Sequence, residues 1–92
     1  MSDLFSPVPD RFLKMILEYC DKSVEPETIF CGTYLKRWAE LGLFDLDGFC
    51  DKLNYVFFAG RGVLDPGLFG EYNVGEIIGV IKEKSALGGV LN

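Results

Sequence analysis

The sequence predicts an all-α fold, a compact four-helix domain with a glycine-rich apolar loop between the third and fourth helices. Two observations support this prediction. Four stretches carry apolar residues at helical spacing, and a proline, aspartate or asparagine that favours helix initiation stands at the start of each. The chain has 92 residues, 49% of them hydrophobic and 25% charged, which is typical of one folded domain over residues 1–92.

The first helix is predicted over residues 9–22, because Pro9 and Asp10 stand where a helix can begin. Its apolar side chains cover about 200° of the helix surface, which is broader than one neighbouring helix requires. Met15 and Tyr19 widen this arc, and we expect them to contribute to a binding surface. The other apolar residues of the arc are Phe12, Leu13, Ile16, Leu17 and Cys20.

The second helix is predicted over residues 26–41. Two carboxylates, Glu25 and Glu27, stand near its positive end, and Gly42 follows its last apolar residue. About half of the helix circumference is apolar, so this helix should pack along one side. We expect Trp38 to anchor it in the core.

The third helix is predicted over residues 45–59, with Asp45 as its N-cap. A β-hairpin is the alternative for residues 55–62, because aromatic residues and valine favour strands and a glycine-rich turn follows them. The helical periodicity begins well before residue 55, so the sequence favours the helix. The residues at helical spacing are Leu46, Phe49, Cys50, Leu53, Val56 and Phe57.

The loop over residues 60–72 is rich in glycine and also apolar, so we expect it to pack against the helices, with or without a short turn of helix. Asn73 is expected to cap a fourth helix over residues 73–86. Gly75 and Gly79 each weaken this helix by about 1 kcal/mol relative to alanine, so tertiary packing has to hold it. Its core stripe is Val74, Ile77, Ile78 and Ile81.

The composition argues against catalysis. The chain has no histidine, which removes the usual general base near neutral pH and most zinc and haem ligand sets. Its three cysteines are an odd number without a CxxC pair, so they indicate neither a disulfide framework nor a zinc site. We therefore expect a protein that is not an enzyme, with no catalytic residue, no cofactor and no metal.

Charge and hydropathy limit the partners in the same way. A net charge of −5 disfavours direct binding of nucleic acid and of anionic lipid. The N-terminal residues do not resemble a secretory signal, and no apolar run approaches the roughly 20 residues that span a bilayer. The sequence therefore predicts a cytoplasmic protein that binds neither nucleic acid nor membrane directly.

Residues 43–48, Leu-Phe-Asp-Leu-Asp-Gly, resemble the first motif of haloacid-dehalogenase-type phosphatases. In that family the first aspartate attacks phosphorus and the second handles the leaving-group proton, so the resemblance implies these roles for Asp45 and Asp47. The similarity covers six positions, and the family motif usually continues with threonine, whereas Phe49 follows here. The sequence favours Asp45 as a helix cap and Asp47 as a carboxylate at the positive end of the helix dipole.

The candidate binding residues are side chains that the predicted helices do not need for their core. Tyr55 and Phe58 lie about 100° or more outside the core arc of the third helix, near Asp51. Aromatic residues surrounded by acids are typical of protein-binding surfaces. The candidate partner-binding residues are therefore Tyr55, Phe58, Asp51, Asp47, Met15 and Tyr19, and Val80 and Leu87 form a second small apolar stripe.

These features predict a non-catalytic protein–protein interaction module, a small cytosolic inhibitor, immunity-type or adaptor protein that binds another protein stoichiometrically. Two alternatives stay open. In the first, the apolar faces pair with themselves, and the chain is a homo-oligomeric structural subunit such as a homodimer. In the second, Glu40, Asp45, Asp47 and Asp51 mimic nucleic acid and block a basic nucleic-acid-binding protein.

Overall fold

A computed structural model describes residues 6–85, and over this range five α-helices and one 3-10 turn follow one another without a strand. The all-α prediction is therefore confirmed for this part of the chain. The prediction of four helices is wrong, because an additional short helix forms. The helices are α1 (Asp10–Glu18), α2 (Leu35–Glu40), α3 (Leu46–Phe58), α4 (Leu68–Glu71) and α5 (Val74–Lys84), and the 3-10 turn is Pro26–Thr28.

The first helix ends at Glu18, four residues earlier than the sequence predicts. The backbone beyond it pairs with the residues that precede α3. The Asp21 N–H donates to the Leu43 carbonyl at 2.8 Å, and the Asp45 N–H donates to the Tyr19 carbonyl at 2.8 Å. These long-range hydrogen bonds replace helical ones, so the end of α1 is joined to the start of α3.

The prediction of one helix over residues 26–41 is wrong. Pro26–Thr28 form a single 3-10 turn, Ile29 is extended, and α2 begins only at Leu35. Trp38 is half-buried and packs against the edge of the core, so it lies less deep than we expected. Only the last part of the predicted second helix is therefore an α-helix.

Main-chain hydrogen bonds from distant residues explain this break. The Cys31 N–H donates to the Ser6 carbonyl at 3.0 Å, and the Cys31 carbonyl accepts from the Gly75 N–H at 2.8 Å. The Val74 N–H donates to the Thr33 carbonyl at 2.9 Å. Because these partners satisfy the backbone outside a helix, the segment before α2 stays irregular. The spacing of apolar residues along the sequence does not reveal that long-range hydrogen bonds compete with helical ones.

The third predicted helix is confirmed. Asp45 caps α3, since its Oδ1 accepts a hydrogen bond from the Gly48 N–H at 3.1 Å. The chain is helical through Phe58 and no strand forms over residues 59–62, so the hairpin alternative for residues 55–62 is wrong. Ala59 and Gly60 then adopt the left-handed conformation, with φ of 55° and 84°, and end the helix. The first carboxylate of the phosphatase-like motif thus serves as a helix cap, as the sequence favours.

The last helix begins as predicted. Asn73 Oδ1 accepts from the Glu76 N–H at 2.9 Å, and Glu76 Oε1 accepts from the Asn73 N–H at 3.0 Å, which is a complete capping box. Val80 is half-buried and packs against the core. The helix ends at Lys84 and Ser85 is extended, so the predicted end at residue 86 is two residues too late. The candidate residue Leu87 lies outside the described residues.

Phe49 is the centre of the core. Its fully buried ring makes edge-on contacts with Phe12, Tyr19, Phe44 and Phe69, at centroid distances of 5.8, 6.0, 5.2 and 6.0 Å. These rings come from α1, from the segment before α3 and from α4. The ring contacts of Phe49 hold one side of α3 against the core, and the other side of the helix faces solvent.

Candidate protein-binding surface

α3 presents one side of its surface to solvent. Asp47, Asp51 and Tyr55 follow one another at intervals of one turn along this side, and all three are exposed. The Tyr55 side chain is 74% exposed. The opposite side of the helix is held by Phe49 and Leu53, both fully buried. We call Asp47, Asp51 and Tyr55 the α3 face.

Phe58 does not belong to the α3 face. It is only 3% exposed, so the prediction that it lies at the surface is wrong. The chain that leaves α3 folds back beside it, because the Arg61 main-chain N–H and Nε both donate to the Phe58 carbonyl. One turn earlier on the same flank, Asn54 bonds to the backbone of Leu64. The helix periodicity could not reveal the burial of Phe58, because it treats α3 as an isolated helix.

Tyr19 lies beside the start of the α3 face, whereas Met15 packs against the core. The Tyr19 ring is half-buried against Phe49 and lies close to Gly48, where a Cβ would be 3.0 Å from Tyr19 Cε1. The glycine therefore lets the ring approach the helix next to Asp47. Met15 is half-buried one turn earlier in α1 and packs against the core.

A buried side-chain amide fixes the segment that follows α3. Asn54 Nδ2 donates to the Leu64 carbonyl at 3.0 Å, and the Leu64 N–H donates to Asn54 Oδ1 at 2.9 Å. Cys50 Sγ donates to the same carbonyl at 3.2 Å. All three residues are buried, so these bonds are shielded from water. We call the pair of amide bonds the Asn54–Leu64 clamp.

The clamp brings a third carboxylate to this part of the molecule. Asp65 follows Leu64 directly and is exposed. Burial raises the pKa of Cys50 to about 11, with further contributions from the negative charges of Asp51, Asp65 and Asp47. Carboxylates of α3 and of the following segment therefore all contribute to the raised pKa of one buried thiol. This thiol stays protonated at neutral pH. The sequence did not single out Asp65, because its Asp-Pro-Gly context is typical of a turn.

A separate groove of about 620 Å³ lies between α2 and α4. Two cations and two carboxylates line it, so the groove has no net charge and favours no class of charged ligand. Leu41, just beyond α2, is 72% exposed and lies outside this groove. The lining residues are Tyr34, Lys36, Arg37, Glu40, Gly70 and Glu71.

Three further results bear on the type of site. Within residues 6–85, no group of histidine, cysteine, aspartate and glutamate side chains is arranged to hold a metal ion. None of the helices in this range is both long and apolar enough to cross a bilayer. No protein-family model, curated protein or solved structure matches this chain. The α3 face must therefore be interpreted from its own chemistry.

Proposed function

We propose that this protein is a non-catalytic protein–protein interaction module that binds another protein stoichiometrically through the α3 face. The exposure of Tyr55 on a helix with a rigidly packed opposite side is the observation that supports the proposal. Aromatic side chains that enter a pocket of the partner are frequent hot spots, and their truncation weakens binding by about 2 kcal/mol or more. Tyrosine suits this role because it offers a large area and has only two side-chain torsions to immobilise.

The two carboxylates of the α3 face favour a partner with a basic surface. Asp47 and Asp51 lie two turns and one turn before Tyr55, so a partner that takes the ring into an apolar pocket meets negative charge on one side of it. A basic rim around that pocket complements this pattern and speeds the encounter. The whole sequence lacks histidine, which agrees with a role in occlusion rather than catalysis. An inhibitor, immunity-type or adaptor protein of the cytoplasm fits this description.

A photo-crosslinking amino acid at position 55 tests the proposal. One variant carries p-benzoylphenylalanine in place of Tyr55, and the matched control carries it in place of Tyr34, an exposed tyrosine on a different element. Irradiation of cells that produce each variant should give one discrete product with position 55 and none of that mass with position 34. Excess unmodified protein should compete the product away. Identical products at both positions, or none at either, contradict the proposal.

The same experiment separates the two alternatives. A product of twice the chain mass, with a light-scattering mass above the 10.3 kDa of the monomer, identifies a homo-oligomer. When a cell lysate is irradiated instead, a product that contains a nucleic-acid-binding protein and does not form at high salt identifies a nucleic-acid mimic that depends on Asp47 and Asp51. A product that persists at high salt supports an apolar contact through Tyr55.

A further inference from the structure

Residues 59–67 lie between α3 and α4 and cross one flank of α3, and we call them the strap. Leu64 is the buried side chain of the strap, Pro66 is half-buried, and its other residues are exposed. The strap is therefore attached to the core through one apolar side chain, whereas α4 beyond it is anchored by the fully buried Phe69.

The remaining attachments of the strap join it to α3. At its start the Gly60 N–H donates to the Asn54 carbonyl at 2.9 Å, and the Arg61 main-chain N–H and Nε donate to the Phe58 carbonyl. The Asn54–Leu64 clamp and the Cys50 thiol bond to the middle of the strap. At its start Ala59 holds a left-handed backbone with φ of 55°, a conformation that is unfavourable for a residue with a Cβ. A segment with few buried apolar side chains can open locally while the surrounding helices stay folded, and Ala59 is the residue at which such an opening would begin.

The strap runs back along the flank of α3 on which Phe58 lies, from the end of the helix to Asn54. Phe58 follows Tyr55 by three residues, so the two side chains are neighbours on the helix surface. Tyr55 is exposed and Phe58 is buried, and the difference coincides with the flank along which the chain folds back.

We infer that the strap is an autoinhibitory cover, which opens as a unit when the Asn54–Leu64 clamp breaks and thereby adds Phe58 to the α3 face. The opening itself depends only on the fold. Its regulatory meaning rests on the proposed function, because an enlarged α3 face matters only if that face binds a partner.

The Cys50 thiol reports the opening in the unmodified protein. It is 2% exposed and bonds to the strap through the Leu64 carbonyl, so a thiol reagent reaches it only when the strap moves or the protein unfolds. The reagent is applied over a range of low urea concentrations, and the Cys50 peptide is quantified by mass spectrometry. We expect a labelling rate that rises much less steeply with urea than global unfolding does. A slope equal to that of global unfolding overturns the inference.

A matched pair of variants separates the clamp from general stability. Asn54→Ala removes the clamp, and losing buried hydrogen bonds of this kind predicts about 10- to 100-fold faster labelling of Cys50. Asn73→Ala removes another buried asparagine, the cap of α5, which has no bond to the strap. It should leave the labelling rate without urea nearly unchanged. Equal acceleration in both variants overturns the inference.

A third variant keeps the test decisive if Asn54→Ala does not fold. Ala59→Gly relieves the left-handed strain of the closed strap, so labelling of Cys50 should slow about fivefold. Faster or unchanged labelling in a folded Ala59→Gly protein contradicts a hinge at this residue. Exchange of the Leu64 amide hydrogen, measured by NMR, should change in the same direction as the labelling.

Hydroxyl-radical footprinting tests whether the opening uncovers Phe58. In Asn54→Ala, oxidation of Phe58 should increase relative to the unmodified protein, while the core residue Phe49 stays protected. If Phe58 stays as protected as Phe49, the strap does not cover it and the autoinhibitory role is wrong. These measurements use no partner, so their failure is distinct from a failure of crosslinking at position 55.

Discussion

Alanine at each of two glycines in α5 should change stability in opposite directions. Gly79 is exposed, and a Cβ built on it meets no heavy atom within 4 Å. Gly79→Ala should therefore raise the free energy of unfolding by about 1 kcal/mol, because alanine loses less backbone entropy in a helix. The substitution adds no contact, so its whole effect comes from helix propensity.

Gly75 has the same propensity and a different environment. A Cβ there would lie 3.1 Å from Cys31 Cβ and 3.4 Å from the Cys31 carbonyl oxygen. That carbonyl also accepts the Gly75 N–H at 2.8 Å, so helix and segment cannot separate without losing the bond. Overpacking of this kind costs about 1–3 kcal/mol. The gain in helix propensity is common to both variants. The difference between their free energies of unfolding therefore measures the overpacking at position 75.

Urea unfolding followed by far-UV circular dichroism and by Trp38 fluorescence measures both variants. With the urea sensitivity typical of small domains, the two midpoints should differ by roughly 1 M, with Gly79→Ala the higher. Coinciding midpoints would show that Gly75 of α5 has more space beside Cys31 than a Cβ distance of 3.1 Å allows. In a Cys31→Gly background the difference between the two urea midpoints should become smaller, because the Cys31 Cβ that crowds position 75 is absent.

Three further predictions concern other residues. Phe58→Ala should lower the free energy of unfolding by about 3–5 kcal/mol and Tyr55→Ala by less than about 0.5 kcal/mol, and equal losses in urea unfolding would contradict their assigned burial. Asp45→Ala should lower the free energy of unfolding, measured by thermal unfolding, by about 1 kcal/mol. Asp45→Ser should lower it much less, because a hydroxyl oxygen can also cap α3. Equal losses in the two variants would argue against the cap. Hydrogen bonds from the Ser23 hydroxyl and N–H lower the pKa of Asp21, so Ser23→Ala should raise that pKa in an NMR titration, and an unchanged value would refute the bond. Because the folded pKa is the lower one, the linked stability is present above the unfolded pKa and is lost as pH falls through the folded pKa.

The sequence predicts the elements whose local signals agree with their packing. Asp45 and Asn73 cap α3 and α5 as expected, because a cap needs only the residue and the helix that follows it. The segment before α2 could not be predicted in this way. Its conformation depends on bonds between Cys31 and Gly75, residues that are far apart in the sequence.

The residues of the candidate surface were predictable only where local signals were sufficient. Asp51 and Tyr55 are exposed as the helical period predicts, since each needs only its angle on a correctly predicted helix. Phe58 has a similar angle and is nevertheless buried. Asn54 was the available signal, because a polar residue near a core position needs a partner, and that partner turned out to be the backbone of Leu64.

The bonds that join α5 to the segment before α2 also determine when this chain can finish folding. A ribosome makes Cys31 and Thr33 well before Val74 and Gly75, the residues whose N–H groups they accept. Helices with strong local signals can form while synthesis continues, but the carbonyls of that earlier segment must stay with water until α5 is made. The segment before α2 can therefore reach its final structure only after α5 has been synthesised. A nascent chain stalled before residue 73 leaves the segment before α2 accessible to chaperones and proteases.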